Sequence, residues 1–195
     1  MIRPSPFTLA AIATWCALLV VWIPGYLTPG GRPHTPRQTA HRGLQFVATA
    51  LLFVGFMLLF GRALAGRRFG ATPPHAALGA LGTAVTLAGI AFAIWARRVL
   101  GHNWSGLVMG VREGHELVQS GPYAIVRHPI YTGIALAMLG TALTLGTLPA
   151  WLGVVAGLGG ILLRVAIEER LMATEFGDAH ATYRQRTKRL IPFVW

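Results

Sequence analysis

Residues 44–65 read LQFVATALLFVGFMLLFGRALA, an apolar run with one charged side chain near its end. In a helix that rises about 1.5 Å per residue, a run of about 20 residues crosses a hydrocarbon core roughly 30 Å thick. Other apolar runs lie at residues 7–27, 77–96, 131–147 and 150–168. The sequence therefore predicts an all-α integral membrane protein with about five transmembrane helices.

The composition of the whole chain agrees with a membrane location. Hydrophobic residues make up 54% of the 195 residues and charged residues 12%, whereas a soluble domain carries about 25% charged residues. The formal net charge of +11 is also compatible with nucleic-acid binding. The basic residues lie between the apolar runs and not on one soluble face, so we expect membrane lipids as partners and no nucleic acid.

The last two apolar runs are shorter than the others and are separated by GTLP at residues 146–149. Glycine and proline mark turns, so these runs are predicted to form a tight helical hairpin. Gly153 and Gly157 lie four residues apart in the second of them. Small residues at this spacing let membrane helices approach closely.

The distribution of charge predicts both the topology and the place of the chemistry. With five spans, thirteen of the seventeen Lys and Arg residues lie on the side of the C-terminus, which is therefore expected to be cytoplasmic. All six acidic residues lie in the second half of the chain. Residues 1–97 are thus expected to form a three-helix membrane anchor, and the functional residues to follow within 98–195, with both regions in one folded unit.

The segment 100–131 is polar enough to leave the bilayer, although spans flank it. Its short pieces, broken by turn-forming residues, are GHNWS at 101–105, HELV at 115–118, GPY at 121–123 and RHPIYTG at 127–133. Such a segment can cap a pocket at the membrane surface. Its histidines match no zinc-ligand spacing and no cysteine assists them, so no metal site is predicted.

His128 and Pro129 are expected to lie where the fourth span begins. Proline biases the preceding residue away from helix and is tolerated in the first turn. His128 would then lie at the start of the helix, a place suited to anionic groups.

Arg164, Glu168 and Glu169 form a second group at the end of the fifth span. Ionisable residues beside a span are functional candidates. An intrahelical salt bridge between Arg164 and Glu168, four residues apart, is the structural alternative. The adjacent carboxylates favour a functional role, since they need cationic partners at apolar depth. The tail that follows, 176–192, interleaves apolar and basic residues and predicts an interfacial helix, then an extended stretch that anchors to anionic lipid.

In combination, these motifs resemble the isoprenylcysteine carboxyl methyltransferase family and the related phospholipid methyltransferases. The resemblance covers about Leu100–Trp195 and includes Tyr183 and the closing RLIP at 189–192. It implies membrane helices with an S-adenosylmethionine pocket at the cytoplasmic face. The implied cofactor-binding residues are His115, Glu116, Leu117, Val118, Tyr123, His128, Pro129, Ile130, Tyr131 and Glu168.

Within that resemblance, Glu168 matches the acid that holds the amino group of the cofactor, and Arg164 matches the arginine beside the substrate carboxylate. Two places depart from the family pattern. Leu107-Val108-Met109 stands where the animal enzymes carry a polar cofactor contact, and Ile167 stands where eukaryotic members continue the acidic run.

Methyl transfer to a carboxylate suits these residue types. The acceptor is ionised at neutral pH, so the enzyme aligns the reactants and excludes water without a general base. Arginine can hold the carboxylate with two parallel hydrogen bonds, and Tyr123 and Tyr131 can face the sulfonium. The resemblance implies that the lipid-like acceptor is an isoprenylcysteine-like thioether carboxylate. The alternatives are phospholipid N-methylation, a sterol-type reductase and a non-catalytic membrane accessory protein.

Overall fold

A computed structural model describes residues 5–27, 42–64, 76–104 and 115–195. Five α-helices follow one another within them: α1 Pro6–Leu27, α2 Arg42–Leu64, α3 Ala76–Leu100, α4 Pro129–Leu145 and α5 Leu148–Arg186. The Leu107-Val108-Met109 stretch lies outside the described residues, as do several arginines that enter the topology prediction.

Four of these helices, α1, α2, α3 and α5, are long and apolar enough to cross a membrane. The fourth in chain order, α4, has 17 residues, which correspond to about 26 Å of helix at 1.5 Å per residue. The predicted class of an all-α multi-pass membrane protein is confirmed, and so is the shortness of the fourth apolar helix.

The last helix differs from the prediction. The apolar run 150–168 was expected to end a short span, but α5 has 39 residues and continues past the acidic pair. Residues 169–176 contain no Gly or Pro and include strong helix formers, so nothing stops the helix there. Its regular geometry is broken at Gly177, where φ is 47° and ψ is −120°. A positive φ suits glycine, and the polar end of α5 changes direction at this point.

The connection between α4 and α5 is as tight as predicted. Gly146 adopts a left-handed conformation with φ 60° after the last residue of α4, and the Thr147 hydroxyl accepts a hydrogen bond from the Ala150 N–H at 3.4 Å. The two helices nevertheless pack chiefly on other partners, α4 along α3 and α5 along α2.

Glycines allow the close approach of both helix pairs. A Cβ atom on Gly55 would lie 2.8 Å from the carbonyl oxygen of Gly153 and 2.8 Å from the nitrogen of Gly157. Between α3 and α4, a Cβ atom on Gly89 would lie 2.5 Å from the carbonyl oxygen of Gly133. Larger side chains would push these helices apart, so the predicted packing role of Gly153 and Gly157 is confirmed.

A buried polar contact joins α1 to this arrangement. Trp15 Nε1 donates a hydrogen bond to Thr141 Oγ1 at 2.9 Å, and the Thr86 and Thr141 hydroxyl oxygens lie 3.3 Å apart. The indole ring also meets Phe56 edge to face, with 5.0 Å between centroids. These contacts fix α1 against α2, α3 and α4 in the apolar core.

The C-terminal segment, residues 187–195, returns to the start of α4. Val126 and Lys188 form an isolated parallel bridge, with Arg127 N–H donating to the Lys188 carbonyl at 2.8 Å. His128 N–H donates to the Arg189 carbonyl at 3.0 Å. The segment thereby covers the start of α4 where it faces the middle of α5, and several of the predicted site residues lie there.

Candidate active site

His128 directly precedes α4, whose first residue is Pro129, as the sequence predicted. The histidine is buried, and its ring lies between two carboxylates of α5. His128 Nε2 lies 2.9 Å from Glu169 Oε1, and Nδ1 lies 3.4 Å from Glu168 Oε2. The anionic groups at the start of α4 are therefore the side chains of Glu168 and Glu169.

These contacts determine the protonation of His128. Burial alone would lower its pKa, but hydrogen bonds and charges from Glu168 and Glu169 outweigh burial and raise the pKa. An imidazolium has a donor on each ring nitrogen, so the protonated form can satisfy both carboxylates. The two carboxylates therefore favour the protonated form of His128 in the folded protein.

Glu169 is the more enclosed carboxylate of the pair. Its two oxygens face the Arg127 guanidinium, with Nε to Oε1 at 2.8 Å and Nη2 to Oε2 at 3.2 Å. Arg184 Nε and Arg189 Nε lie 3.6 and 3.8 Å from Oε2. Three arginines and His128 thus surround Glu169. Because Arg189 belongs to the C-terminal segment, Glu169 acts as an ionic anchor that holds this segment in place.

Arg127 completes this anchor through the backbone. Its Nη1 donates to the carbonyl of Thr187 and lies 3.5 Å from the carbonyl of Arg184. The guanidinium is buried, so its charge is balanced by Glu169 instead of by water. Sequence reasoning did not assign Arg127 to the site. The acid pair indicated that cationic partners were needed, but not which of the seventeen basic residues would supply them.

Glu168 has different neighbours and greater exposure. Its side chain is 26% exposed, against 9% for Glu169. Tyr131 Oη donates to Glu168 Oε1 at 2.5 Å. Glu168 is therefore the carboxylate of the pair that a bound molecule can reach more readily.

Arg164 joins the same group through Tyr131. Its Nε donates to Tyr131 Oη at 3.0 Å, and Nη1 lies 3.4 Å from Thr49 Oγ1 in α2. Arg164 is buried, with 4% of its surface exposed. Tyr131 thus connects Arg164 and Glu168, a relationship that the four-residue spacing on α5 did not reveal.

Tyr123 lies at the edge of this group, in the short turn Gly121–Ala124. Burial raises the pKa of its hydroxyl, and the negative charge of Glu168 raises it further, so it stays protonated. The Tyr123 carbonyl accepts a hydrogen bond from Tyr183 Oη at 2.6 Å. The polar end of α5 is therefore fixed to the turn that carries Tyr123.

The HELV stretch, residues 115–118, contacts residues outside the group formed by Arg164, Tyr131 and Glu168. A cavity of about 570 Å³ is lined by Glu116, Leu117 and Val118 together with residues 99–103. Glu116 N–H donates to Asn103 Oδ1 at 3.0 Å, while the His115 ring centroid lies 5.9 Å from that of Phe176. The structure thus brings His128, Tyr131, Arg164 and Glu168 into one hydrogen-bonded group and places 116–118 on a cavity wall. Ile130 is only partly buried at the start of α4.

The comparisons with known proteins agree with the motifs. The sequence profile of the phospholipid methyltransferase (PEMT) family matches residues 78–179, which is slightly more than half of the chain. The match begins inside α3 and includes the whole Arg164–Tyr131–Glu168 group.

Two curated relatives match parts of the chain. A protein-S-isoprenylcysteine O-methyltransferase of Schizosaccharomyces pombe is 34% identical over 101 residues, which cover 48% of this chain and 41% of the relative. Methanethiol S-methyltransferase 2 of Bradyrhizobium diazoefficiens is 41% identical over 71 residues, 36% of this chain and 26% of the relative. The matched regions thus span less than half the length of these relatives.

A solved structure, the eukaryotic intramembrane Ras methyltransferase ICMT, aligns over the whole chain and 55% of its own length, with 22% identity and a TM-score of 0.49. The resemblance that the motifs indicated is confirmed by the family profile and by the isoprenylcysteine relatives. The chain therefore belongs to the phospholipid methyltransferase family, which its ordered motifs from residue 100 onward had indicated.

Proposed function

We propose that the protein is an S-adenosylmethionine-dependent methyltransferase that acts on an amphipathic, lipid-like acceptor. The observation that carries this proposal is the hydrogen-bonded series Arg164–Tyr131–Glu168. It joins a cation at apolar depth to an accessible carboxylate in a chain that belongs to a methyltransferase family. Arg164 suits a negatively charged acceptor, and Glu168 suits the ammonium group of the methyl donor.

The Glu168 carboxylate and its neighbours suit the ammonium group of the cofactor. S-adenosylmethionine carries an ammonium group, and Glu168 is the acid of the pair with the more exposed side chain. Tyr131 and His128 hold this carboxylate in one orientation, which reduces the cost of ordering it when an ammonium group binds. When bound, the cofactor supplies an electrophilic methyl group on a sulfonium centre.

We propose that the remaining predicted cofactor residues contact other parts of the same cofactor molecule. Tyr123 and Tyr131 offer aromatic rings, which attract a sulfonium by about 0.5–2 kcal/mol. The HELV stretch adds a cavity wall in which Leu117 and Val118 are partly buried. The cavity suits the less polar part of a nucleoside.

Arg164 is proposed to hold the acceptor. It lies one helical turn before Glu168, which places it about 6 Å further along α5 toward the bilayer. A carboxylate arriving there would replace the 3.4 Å contact with Thr49 by a paired contact with the guanidinium. Because that carboxylate is already ionised, alignment and exclusion of water are the tasks left to the chain.

The carboxylate acceptor is favoured over an amine. The family description names phospholipids, so a phospholipid amine is the second candidate. An amine must lose a proton before it attacks. The positive charge of Arg164 beside it would assist that loss, but Glu168, the carboxylate of the Arg164–Tyr131–Glu168 series, is assigned to the ammonium group of the cofactor and is not free to accept the proton. The isoprenylcysteine relative favours a thioether carboxylate, which needs no base. The site is proposed to face the cytoplasm, because most basic residues lie on the side of the C-terminus.

A transfer assay with labelled S-adenosylmethionine tests this proposal. The protein in lipid nanodiscs would be offered an S-prenylated N-acetylcysteine, phosphatidylethanolamine and an alkanethiol in parallel. We expect label on the carboxylate acceptor, loss of activity in Glu168→Gln and full activity in the exposed control Glu175→Gln. Label only on phosphatidylethanolamine, or only on the thiol, would show that the acceptor is an amine or a thiol and not a carboxylate. No label on any acceptor, from folded protein, would contradict the proposal.

A further inference from the structure

An open basic groove lies beside the C-terminal segment, apart from the proposed acceptor group at Arg164. Its volume is about 530 Å³. The lining residues that matter here are Arg127, Arg184, Lys188, Arg189, Val194 and Trp195. The proposed methyl transfer gives this groove no role.

The groove carries an excess of positive charge. Four of its lining residues are basic, and Glu169 is the acidic side chain that contacts three of them. That acid is already paired at short range with Arg127, while Arg184 and Arg189 lie 3.6 and 3.8 Å away. The side chains of Arg184 and Arg189 are 48% and 37% exposed, so both can turn toward an incoming anion.

An apolar tip continues directly from the groove. Ile191 is 53% exposed, Phe193 94% and Val194 72%. Phe193 also has a φ of 64°, an unfavourable backbone conformation for a bulky residue. Water gives no compensation for a strained and fully exposed phenyl ring, whereas a lipid environment does.

The groove and the tip are held in place. The Leu190 and Ile191 N–H groups both donate to the main-chain oxygen of Trp195 at 2.9 Å, which closes the tip into a turn. Thr132 Oγ1 donates to the Leu190 carbonyl at 2.8 Å, which fixes the turn to α4. The cations and the apolar ring therefore form a surface that exists before any ligand binds.

We propose that this groove binds the headgroup of an anionic phospholipid, with Phe193 and Val194 inserted among the acyl chains. Cations beside apolar side chains are the arrangement that an anionic membrane surface selects. Arg184 and Lys188 would contact the phosphate of the headgroup. The site goes beyond the proposed methyl transfer and does not depend on it.

Titration calorimetry in detergent tests the headgroup site. Short-chain phosphatidylglycerol would be compared with short-chain phosphatidylcholine. At about 1 kcal/mol per cation near a lipid surface, Arg184→Gln/Lys188→Gln should weaken phosphatidylglycerol binding about 30-fold. The control Arg98→Gln/Arg170→Gln removes two exposed cations elsewhere and should bind as the wild type does. Equal binding of both lipids by the wild type, or equal losses in the two double variants, would overturn the proposal.

Inorganic phosphate distinguishes a lipid site from a site for a free anion. Phosphate should compete only weakly, because it lacks the acyl chains that contact the tip. Displacement of phosphatidylglycerol by phosphate at equal concentration would assign the groove to a soluble anion and overturn the lipid proposal.

A spin label tests the tip independently of the double variants. The label would be attached to Phe193→Cys in a Cys16→Ser background, in nanodiscs containing phosphatidylglycerol, with Asp178→Cys as the water-exposed control. We expect high accessibility to oxygen and low accessibility to a polar nickel reagent at position 193, and the reverse at 178. The same accessibility at both positions would contradict insertion of the tip.

Discussion

Arg127 and Glu169 form a buried, two-pronged ion pair that joins the segment before α4 to the middle of α5. Nε lies 2.8 Å from Oε1 and Nη2 lies 3.2 Å from Oε2. The same guanidinium binds the carbonyl of Thr187, so the pair also retains the C-terminal segment. Its geometry places His128 against both carboxylates and leaves Glu168 the more exposed acid.

Removing the charge of Glu169 is expected to destabilise the fold. Glu169→Gln leaves Arg127 and His128 buried without their carboxylate, and breaking a buried pair costs about 3–5 kcal/mol. Thermal unfolding in detergent, followed by intrinsic fluorescence, should show a clearly lower transition temperature. Glu175→Gln, at an exposed position of the same helix, should unfold as the wild type does. Equal transition temperatures for the two variants would contradict the anchoring role.

The raised pKa of His128 predicts a specific pH dependence of stability. Its pKa is raised in the folded protein above the ordinary value of about 6.5. The stability it contributes is therefore fully present below that ordinary value and is lost as the pH rises through the folded pKa. The wild type should be more stable than His128→Gln at low pH, and the difference should shrink as the pH rises. A difference that grows with pH would show that His128 is neutral in the fold.

Arg164→Lys separates an acceptor-binding role from a structural one. Lysine keeps the charge but loses the planar fork, so turnover on the best acceptor should fall about 10- to 100-fold, the scale of a charged hydrogen bond. The affinity for S-adenosylmethionine should stay nearly unchanged. The control is Arg170→Lys, an exposed position on the same helix. Turnover near the wild-type level, with a lower unfolding temperature, would show that Arg164 has only a structural role, as a hydrogen-bond donor to Tyr131.

The two termini are expected on opposite sides of the membrane, with the C-terminus in the cytoplasm. Thirteen of the seventeen basic residues lie on the C-terminal side if all five helices span. Reporter fusions at each end should therefore give opposite signals. Signals from the same side would mean an even number of spans, and α4, with 17 residues, would be the helix that fails to cross.

The sequence allowed the spans to be predicted because long apolar runs have few alternatives in a membrane. The turn at Gly146 and the close packing at Gly153 were also predicted, since glycine has specific backbone and packing consequences there. The end of α5 was not, because the expected boundary at residue 168 rested on where apolarity ends. The helix continues through polar residues of high helix propensity to the break at Gly177.

Only part of the candidate site followed from the motifs. They indicated His128, Tyr131 and Glu168 through the family resemblance, and the structure brings these residues together. Arg127 and its contact with Glu169 depend on a tertiary approach between residues 42 positions apart. No local pattern encodes such a pairing, although the need of adjacent carboxylates for cations predicted that a partner exists.

The measurement that tests the central claim most directly is isothermal titration of the folded, detergent-solubilised wild type with S-adenosylmethionine and its demethylated product. Both should bind with measurable heat. Glu168→Gln should bind S-adenosylmethionine more weakly by about 1–3 kcal/mol, the scale of a charge-assisted hydrogen bond, while Glu175→Gln should match the wild type. No heat of binding from folded wild-type protein would contradict the assignment of this site to methyl transfer.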